Sequence, residues 1–150
     1  MKKLLMLFAV VLILGSCVSY SKNPEGLAKK IIFWDETIPK EQCAGLFIVN
    51  GLKVTSYNGI AVDWGTMVML YLPPGQITLT FDVDFSTASR NYTGKDVPFQ
   101  WNFSAGEVRY VQGWTRNDKP VFLVIDPENK TPWYDQDAYQ IPTGGRTVLQ

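Results

Sequence analysis

The chain has 150 residues, with 14 basic side chains, 14 acidic side chains and no histidine. Without imidazole, Ser-His-Asp and Cys-His catalysis are excluded, and so are most zinc sites, whose usual ligands are His and Cys. The positive charges are scattered and form no basic stripe, so no nucleic-acid partner is expected.

The N-terminal segment has the features of a secretory signal. Lys2 and Lys3 give it a positive start, and residues 4–14 form an unbroken apolar run. This run is too short for the roughly 20 residues of a membrane-spanning helix. The segment ends in Leu14-Gly15-Ser16-Cys17, which resembles the lipobox of bacterial lipoproteins.

The lipobox resemblance implies an address in the cell envelope. In that family the peptide is cut just before the cysteine and the cysteine is lipidated, which implies a signal peptide over residues 1–16 and a lipid on Cys17. Val18, rather than aspartate, follows the cysteine and favours an outer-membrane anchor, with the periplasmic and surface faces both open. The alternative is an ordinary signal peptide that ends near a cysteine.

Residues 17–28 are small and polar, with one Pro and one Gly, and are predicted to tether the lipidated cysteine to a folded domain. If Cys17 is lipidated, Cys43 is the remaining thiol and no intrachain disulfide forms. Cys43 begins an apolar run to Val49. We expect this run to be a strand covered on both faces, with Cys43 as a buried small hydrophobe.

Residues 29–126 are predicted to form the domain. Lys29–Glu36 is a candidate first strand. Asn58-Gly59 separates two strand-like segments, and it predicts a type I′ hairpin that places Tyr57 opposite Ile60 and Thr55 opposite Val62.

A period of two dominates this domain. Gln76–Phe85 and Val97–Phe103 alternate apolar and polar residues, while Val121–Ile125 is continuously apolar. We count about eight strands separated by turn signals and no convincing helix. The pattern predicts an all-β fold, an antiparallel β-sandwich or a small barrel.

Residues 127–150 are rich in Pro, Gly, Asp and Gln and are predicted to pack their aromatic side chains on the domain, with Gly144–Gln150 mobile. Trp133 lies outside the strands and is the candidate for ligand contact at the surface. The other four tryptophans lie in apolar strand context and are predicted to belong to the core: Trp34, Trp64, Trp101 and Trp114.

Two carboxylates share the polar face of one predicted strand. Asp82 and Asp84 could divide acid and base roles in a hydrolase, or could bind calcium together with Asp96. Paired acids on a solvated strand more often keep a sheet soluble. No catalytic, metal or cofactor residue is therefore assigned.

Two short patterns resemble small β-domains of bacterial envelope lipoproteins. Leu72–Leu79 (LPPGQITL) resembles a hairpin of PEGA-type and related domains, and Phe103–Tyr110 (FSAGEVRY) is similar to a later hairpin of uncharacterised families of this sort. The resemblance implies an immunoglobulin-like or transthyretin-like sandwich, and it carries over no catalytic residues.

These observations predict a membrane-anchored envelope lipoprotein that is not an enzyme and acts as a binding or structural module. Its partner, an envelope protein or a glycan, would add to an exposed strand edge or contact loops, with Ser86–Asp96 and Arg116–Pro120 as candidates. Two alternatives stay open: a glycan or small-ligand binding module that uses exposed aromatic side chains, and a hydrolase that uses carboxylates.

Overall fold

A computed structural model describes residues 20–87 and 90–141 of the chain. The described strands are β1 (Lys30–Phe33), β2 (Ala44–Ile48), β3 (Leu52–Tyr57), β4 (Ile60–Ala61), β5 (Val68–Leu72), β6 (Gly75–Ser86), β7 (Asn91–Phe103), β8 (Val108–Arg116), β9 (Lys119–Ile125) and β10 (Ala138–Gln140). Helical structure in these ranges is limited to three short 3-10 helices, at Pro24–Leu27, Lys40–Gln42 and Trp133–Asp135. None of the described helices is long and apolar enough to cross a membrane.

The strands form two sheets. The six-stranded sheet has the order β1-β5-β2-β8-β9-β10, and the four-stranded sheet has the order β4-β3-β6-β7. Apolar side chains from both sheets meet in one core. The prediction of an all-β chain is confirmed, and the two sheets are arranged like a sandwich and are not closed into a barrel.

One detail of the predicted sandwich is wrong. Not all strand pairs are antiparallel, because β1 pairs with β5 in parallel and β2 pairs with β8 in parallel. The number of strands agrees with the prediction of about eight, since nine lie between Lys30 and Ile125, and a further short strand, β10, lies in the predicted tail. Turn residues reveal hairpins between consecutive strands, whereas a parallel pair joins segments that lie far apart in sequence.

The core between the sheets follows the alternation of the sequence. The apolar residues of β6 are buried at every second position from Ile77 to Phe85, as predicted. Phe81 and Phe99 of the four-stranded sheet contact Phe122 of the other sheet, with ring centroids 5.3 and 5.6 Å apart. Full burial of each such side chain contributes about 1.5–3 kcal/mol relative to exposure.

A second apolar layer covers the outer face of the six-stranded sheet. Buried Phe47, Met69 and Leu123 point to this face, and Tyr20 and Ala28 of the N-terminal segment pack against the same cluster. Strands β2 and β5 are therefore buried along their whole length. This explains the continuous apolar run after Cys43 and confirms that both faces of β2 are covered; Cys43 itself is buried, as predicted.

The N-terminal segment is fastened to this outer face. The Tyr71 hydroxyl donates a hydrogen bond to the Glu25 carboxylate, which also forms an ion pair with Lys40. The Lys40 ammonium group lies 5.2 Å from the centre of the Tyr71 ring. Hydrogen bonds from Lys40 and Tyr71 lower the pKa of Glu25. Residues 20–28, which fall within the predicted tether, thus lie against the sheet.

The predicted Asn58-Gly59 hairpin is confirmed. Tyr57 pairs with Ile60, and the Val62 N–H donates to the Thr55 carbonyl at 3.0 Å. Asn58 and Gly59 have φ values of 46° and 81°, the left-handed values that a type I′ turn requires.

Both segments predicted as loops are largely strand. β6 extends to Ser86 and β7 begins at Asn91, so most of Ser86–Asp96 belongs to a long hairpin. Arg116–Pro120 is likewise a tight hairpin, because Asn117 and Asp118 form its turn with φ values of 52° and 59°. The prediction of loops is wrong because both segments are rich in polar residues, and polar residues are as typical of the solvent face of a strand as they are of a loop.

After β9 the chain returns to the sandwich. β10 pairs with β9, and the Tyr139 ring lies 6.0 Å from the Phe99 ring. Residues 142–150, including the segment predicted to be mobile, lie outside the described residues.

Candidate functional site

One side of the sandwich carries a group of three aromatic side chains, Trp34, Tyr57 and Trp64, which we call the edge aromatic group. The centroid of the Trp34 ring lies 4.2 Å from that of Tyr57 and 6.0 Å from that of Trp64. Trp34 directly follows β1 and Tyr57 ends β3. The group therefore joins the edge of the six-stranded sheet to the β3–β4 hairpin at the edge of the four-stranded sheet.

Exposed apolar side chains lie on both faces of β1 and on the β3–β4 hairpin. The Phe33 ring stacks on Tyr71 of the outer layer, with the ring centroids 4.7 Å apart, whereas Trp34 packs on Tyr57. Ile31, Phe33, Trp34 and Ile60 are 44%, 37%, 37% and 55% exposed, and they account for four of the six large hydrophobic side chains exposed in the described residues. Single exposed apolar residues need no explanation, whereas several on two adjoining strand edges are typical of a contact surface.

Within residues 20–87 and 90–141, the backbone of β1 is paired on one side only. β1 lies at the end of its sheet, with β5 as its one strand neighbour among the described residues. N–H and C=O groups on the free side of such a strand can pair with an extended segment of another chain.

The edge of the four-stranded sheet that is formed by β7 differs from the β1 edge of the six-stranded sheet. β7 carries Lys95 and Pro98 and is interrupted by an irregularity in its pairing with β6, close to Asp96 at φ 48°. Charge, proline and bulges are the features that prevent a strand edge from pairing with other chains. Of these two edges, the β1 edge is therefore the better suited to binding.

The predicted carboxylate pair lies on the outer face of the four-stranded sheet, in an open groove of about 850 Å³. The Lys95 Nζ atom lies 2.6 Å from the Asp82 Oδ2 atom. Partial burial opposes ionisation of Asp82, but hydrogen bonds from Lys95 and from the Asp96 N–H outweigh it and lower the pKa of Asp82. Asp84 is exposed. Asp82 is thus a carboxylate neutralised by a lysine.

Asp96, the third residue of the calcium alternative, accepts a hydrogen bond from the Thr55 hydroxyl at 2.8 Å. In residues 20–87 and 90–141 no three His, Cys, Asp or Glu side chains are grouped so that they could hold a metal ion.

Trp133 belongs to a second aromatic group, on the outer face of the six-stranded sheet. Its ring centroid lies 4.8 Å from that of Trp114, 5.6 Å from that of Tyr134 and 6.2 Å from that of Tyr20. We call these four residues the Trp133 surface. Trp133 is half-buried, whereas Tyr134 is 51% exposed.

Arg116 holds the Trp133 surface in place. Its guanidinium group donates hydrogen bonds to the carbonyl oxygens of Tyr134 and Gln136, at 2.6 and 2.8 Å. The short helix that carries Trp133 and Tyr134 is thereby fixed to the end of β8.

The prediction that Trp34 belongs to the core is wrong, because Trp34 is 37% exposed at the sheet edge. Trp64, Trp101 and Trp114 are partly buried and pack against the two core clusters. Residues 31–34 are all apolar and do not alternate with polar residues. This run is the sequence feature from which an apolar surface at this strand could have been predicted. Cys17 lies outside the described residues.

Comparison of this chain with protein-family models, with curated proteins and with solved structures finds no match.

Proposed function

We propose that this chain is a bacterial envelope lipoprotein, anchored in the outer membrane through a lipid on Cys17, whose β-domain binds a protein partner and catalyses no reaction. The support for the anchor is the order of positive residues, apolar run, small residues and cysteine at the N-terminus. The finer fold type belongs to the same proposal: two sheets around one core are compatible with the immunoglobulin-like or transthyretin-like sandwich that the resemblances imply. The segments that carry the resemblances, Leu72–Leu79 and Phe103–Tyr110, are not hairpins, because each connects a strand of one sheet to a strand of the other.

The observation that supports the binding role is the collection of exposed apolar side chains at the β1 edge. An extended segment of a partner would pair with the free backbone of β1. Its side chains would pack on Ile31, Phe33 and Trp34, which are exposed in the free domain. Backbone pairing supplies affinity in this mode of recognition, and the side-chain contacts supply selectivity.

Glycan binding is the second candidate function, and the edge aromatic group favours it. Trp34 and Trp64 are accessible at one edge, and an accessible aromatic ring can stack on the apolar face of a sugar. The predicted carboxylate hydrolase gains no support of this kind, since Asp82 is bound to Lys95.

The anchor is tested by labelling growing cells with a fatty acid and isolating the protein. Cys17→Ser should abolish labelling and leave an unprocessed precursor, while the matched control Cys43→Ser should keep both labelling and processing. Normal release of the Cys17→Ser protein into the soluble fraction would contradict the lipid anchor.

Binding at the edge is tested by placing a photo-crosslinking amino acid at Ile31 or Ile60 in living cells. The control position is Gln100, which is exposed on the outer face of the four-stranded sheet. Defined adducts with a protein at the two edge positions, and none at Gln100, are expected. Adducts of equal yield at all three positions, or none at the edge, would contradict the proposal.

Loss of crosslinking on addition of a soluble glycan would instead favour the glycan candidate. Substitution of Trp34 and Trp64 by alanine should then abolish binding to a glycan array, whereas Trp101→Ala should not.

Protease treatment of intact cells decides which face of the membrane carries the domain. Digestion without lysis would place the domain at the cell surface and direct the search to external partners. Protection until lysis would place it in the periplasm, among envelope-assembly proteins.

A further inference from the structure

The first described residue, Tyr20, is firmly fixed to the outer face of the six-stranded sheet. Its hydroxyl donates a hydrogen bond to the Gln112 Oε1 atom at 2.6 Å, and its ring meets the Tyr110 ring edge-on at 4.8 Å. Tyr110 in turn donates to the Ser21 carbonyl at 2.8 Å. The domain therefore cannot turn freely about a linker that begins at Cys17 and ends at residue 28.

The distance from Cys17 to this contact is short. Only Val18 and Ser19 separate Cys17 from Tyr20. Consecutive Cα atoms are about 3.8 Å apart, so the Cα atoms of Cys17 and Tyr20 can be at most about 11 Å from each other. If the lipid of Cys17 is inserted in a membrane, Tyr20 must lie at or just above the headgroup layer.

The side chains around Tyr20 suit that position. Trp133 lies beside Tyr20, and Trp114 and Tyr134 pack on Trp133 to complete the Trp133 surface, in which Tyr134 is 51% exposed. Tryptophan and tyrosine concentrate at membrane–water interfaces, because their rings are apolar and their N–H and O–H groups are polar.

Charged side chains of both signs lie near this surface. Lys22 forms an ion pair with Glu128, whose Nζ and Oε1 atoms are 3.7 Å apart. Arg116 donates hydrogen bonds to the backbone beside Asp135 of the short helix. The aromatic rings, rather than a cluster of basic residues, are therefore the feature that suits contact with lipid.

We propose that the Trp133 surface rests on the headgroup layer of the membrane that holds the lipid of Cys17. This inference depends on the lipid anchor proposed above. The six-stranded sheet then faces the membrane and the four-stranded sheet faces away from it. In the order β1-β5-β2-β8, three strand spacings of about 4.8 Å separate β1 from β8, so the β1 edge stays free at the side of the domain.

The test uses the mature, acylated full chain in phosphatidylcholine vesicles, in which part of the lipid carries bromine on its acyl chains. Bromine quenches tryptophan fluorescence only at short range. We expect brominated vesicles to quench part of the emission of the parent protein. Trp133→Phe should remove most of the quenchable emission, and the matched control Trp64→Phe should leave it unchanged.

A second variant guards against a folding defect. Tyr134→Glu alters an exposed side chain and places a negative charge at the proposed contact. It should reduce quenching in vesicles while the circular dichroism spectrum stays that of the parent protein. Quenching that is unchanged in both Trp133→Phe and Tyr134→Glu, or that is lost in Trp64→Phe, would overturn the proposal.

Mass spectrometry of the N-terminal peptide separates the two proposals. A peptide without acyl groups would overturn the lipid anchor and, with it, this inference. If the peptide is acylated but quenching is the same in Trp133→Phe and Tyr134→Glu as in the parent protein, only the proposed membrane contact is overturned.

Discussion

The ring of Phe85 on β6 lies directly against the backbone of Gly113 on β8. A Cβ atom at position 113 would be 2.2 Å from the Phe85 Cδ1 atom. Real Cβ atoms do not approach carbon atoms so closely, so glycine at 113 is what allows the two sheets to meet at this end of the sandwich. Phe85 itself is buried and stacks on Tyr92, with the ring centroids 5.1 Å apart.

Gly113→Ala should therefore destabilise the domain by about 1–3 kcal/mol, the usual cost of adding atoms to a packed core. Thermal unfolding checks this. Gly26→Ala is the matched control, because a Cβ at Gly26 would meet nothing within 4 Å. In a Gly113→Ala, Phe85→Leu double variant the smaller side chain should relieve the clash, so the two changes should cost less together than the sum of their separate effects. Additive effects would contradict the proposed clash.

The partly buried Tyr20 and the buried Tyr71 should make the domain sensitive to alkali. Burial raises the pKa of Tyr20, and burial together with the Glu25 carboxylate raises that of Tyr71, from 10.0 to about 12 in each case. Between pH 10 and pH 12 these two side chains stay protonated in the folded protein but are ionised in the unfolded chain. Their contribution to the free energy of unfolding is therefore constant below pH 10 and decreases as the pH rises towards 12.

Denaturant unfolding at a series of alkaline pH values tests this dependence. Tyr20→Phe and Tyr71→Phe should each flatten the decline, because phenylalanine cannot ionise. Tyr71→Phe should also lose about 1 kcal/mol at neutral pH with its hydrogen bond to Glu25. A decline as steep in the Tyr20→Phe, Tyr71→Phe double variant as in the parent would contradict the assignment.

Features encoded within one hairpin could be predicted from the sequence. The alternation of β6 and the Asn58-Gly59 turn specify their own geometry, because side-chain period and left-handed φ values are local properties. The parallel pairing of β2 with β8 could not be predicted, since it depends on which distant segments share the core.

The candidate site was missed for a related reason. Exposure of Ile31 and Trp34 follows from the position of β1 at the end of a sheet, and the sequence of a strand does not state how many neighbours it will have. Trp133 could be singled out because it lies outside the strands. Its neighbours Tyr20 and Trp114, however, come from distant parts of the chain and meet it only after folding.

Thiol titration should report both folding and processing. The chain has two cysteines, Cys17 and Cys43. Burial, reinforced by the nearby carboxylates of Asp35 and Glu41, raises the pKa of the Cys43 thiol, so it should react slowly with an aromatic disulfide reagent in the folded protein.

In denaturant, the acylated protein should release one equivalent of reagent chromophore, from Cys43. The unprocessed chain should release two, and Cys43→Ser in the acylated protein should release none. Rapid reaction of Cys43 in the native protein would contradict its burial, and two equivalents from the protein isolated from membranes would contradict lipidation of Cys17.

The Asn58-Gly59 turn holds the edge aromatic group in place, because it joins β3, which ends at Tyr57, to β4, which begins at the exposed Ile60. The Asn58 side chain accepts a hydrogen bond from the Thr78 N–H at 2.9 Å, and its backbone has a φ of 46°.

Asn58→Ala removes the acceptor and places a strained residue in the turn, so it should lower the free energy of unfolding by about 1–3 kcal/mol. Asn58→Gly removes the acceptor but tolerates the φ value, and should cost clearly less. Chemical denaturation followed by tryptophan fluorescence measures both costs and also reports on Trp34 and Trp64; equal losses in the two variants would show that backbone strain plays no part in this turn.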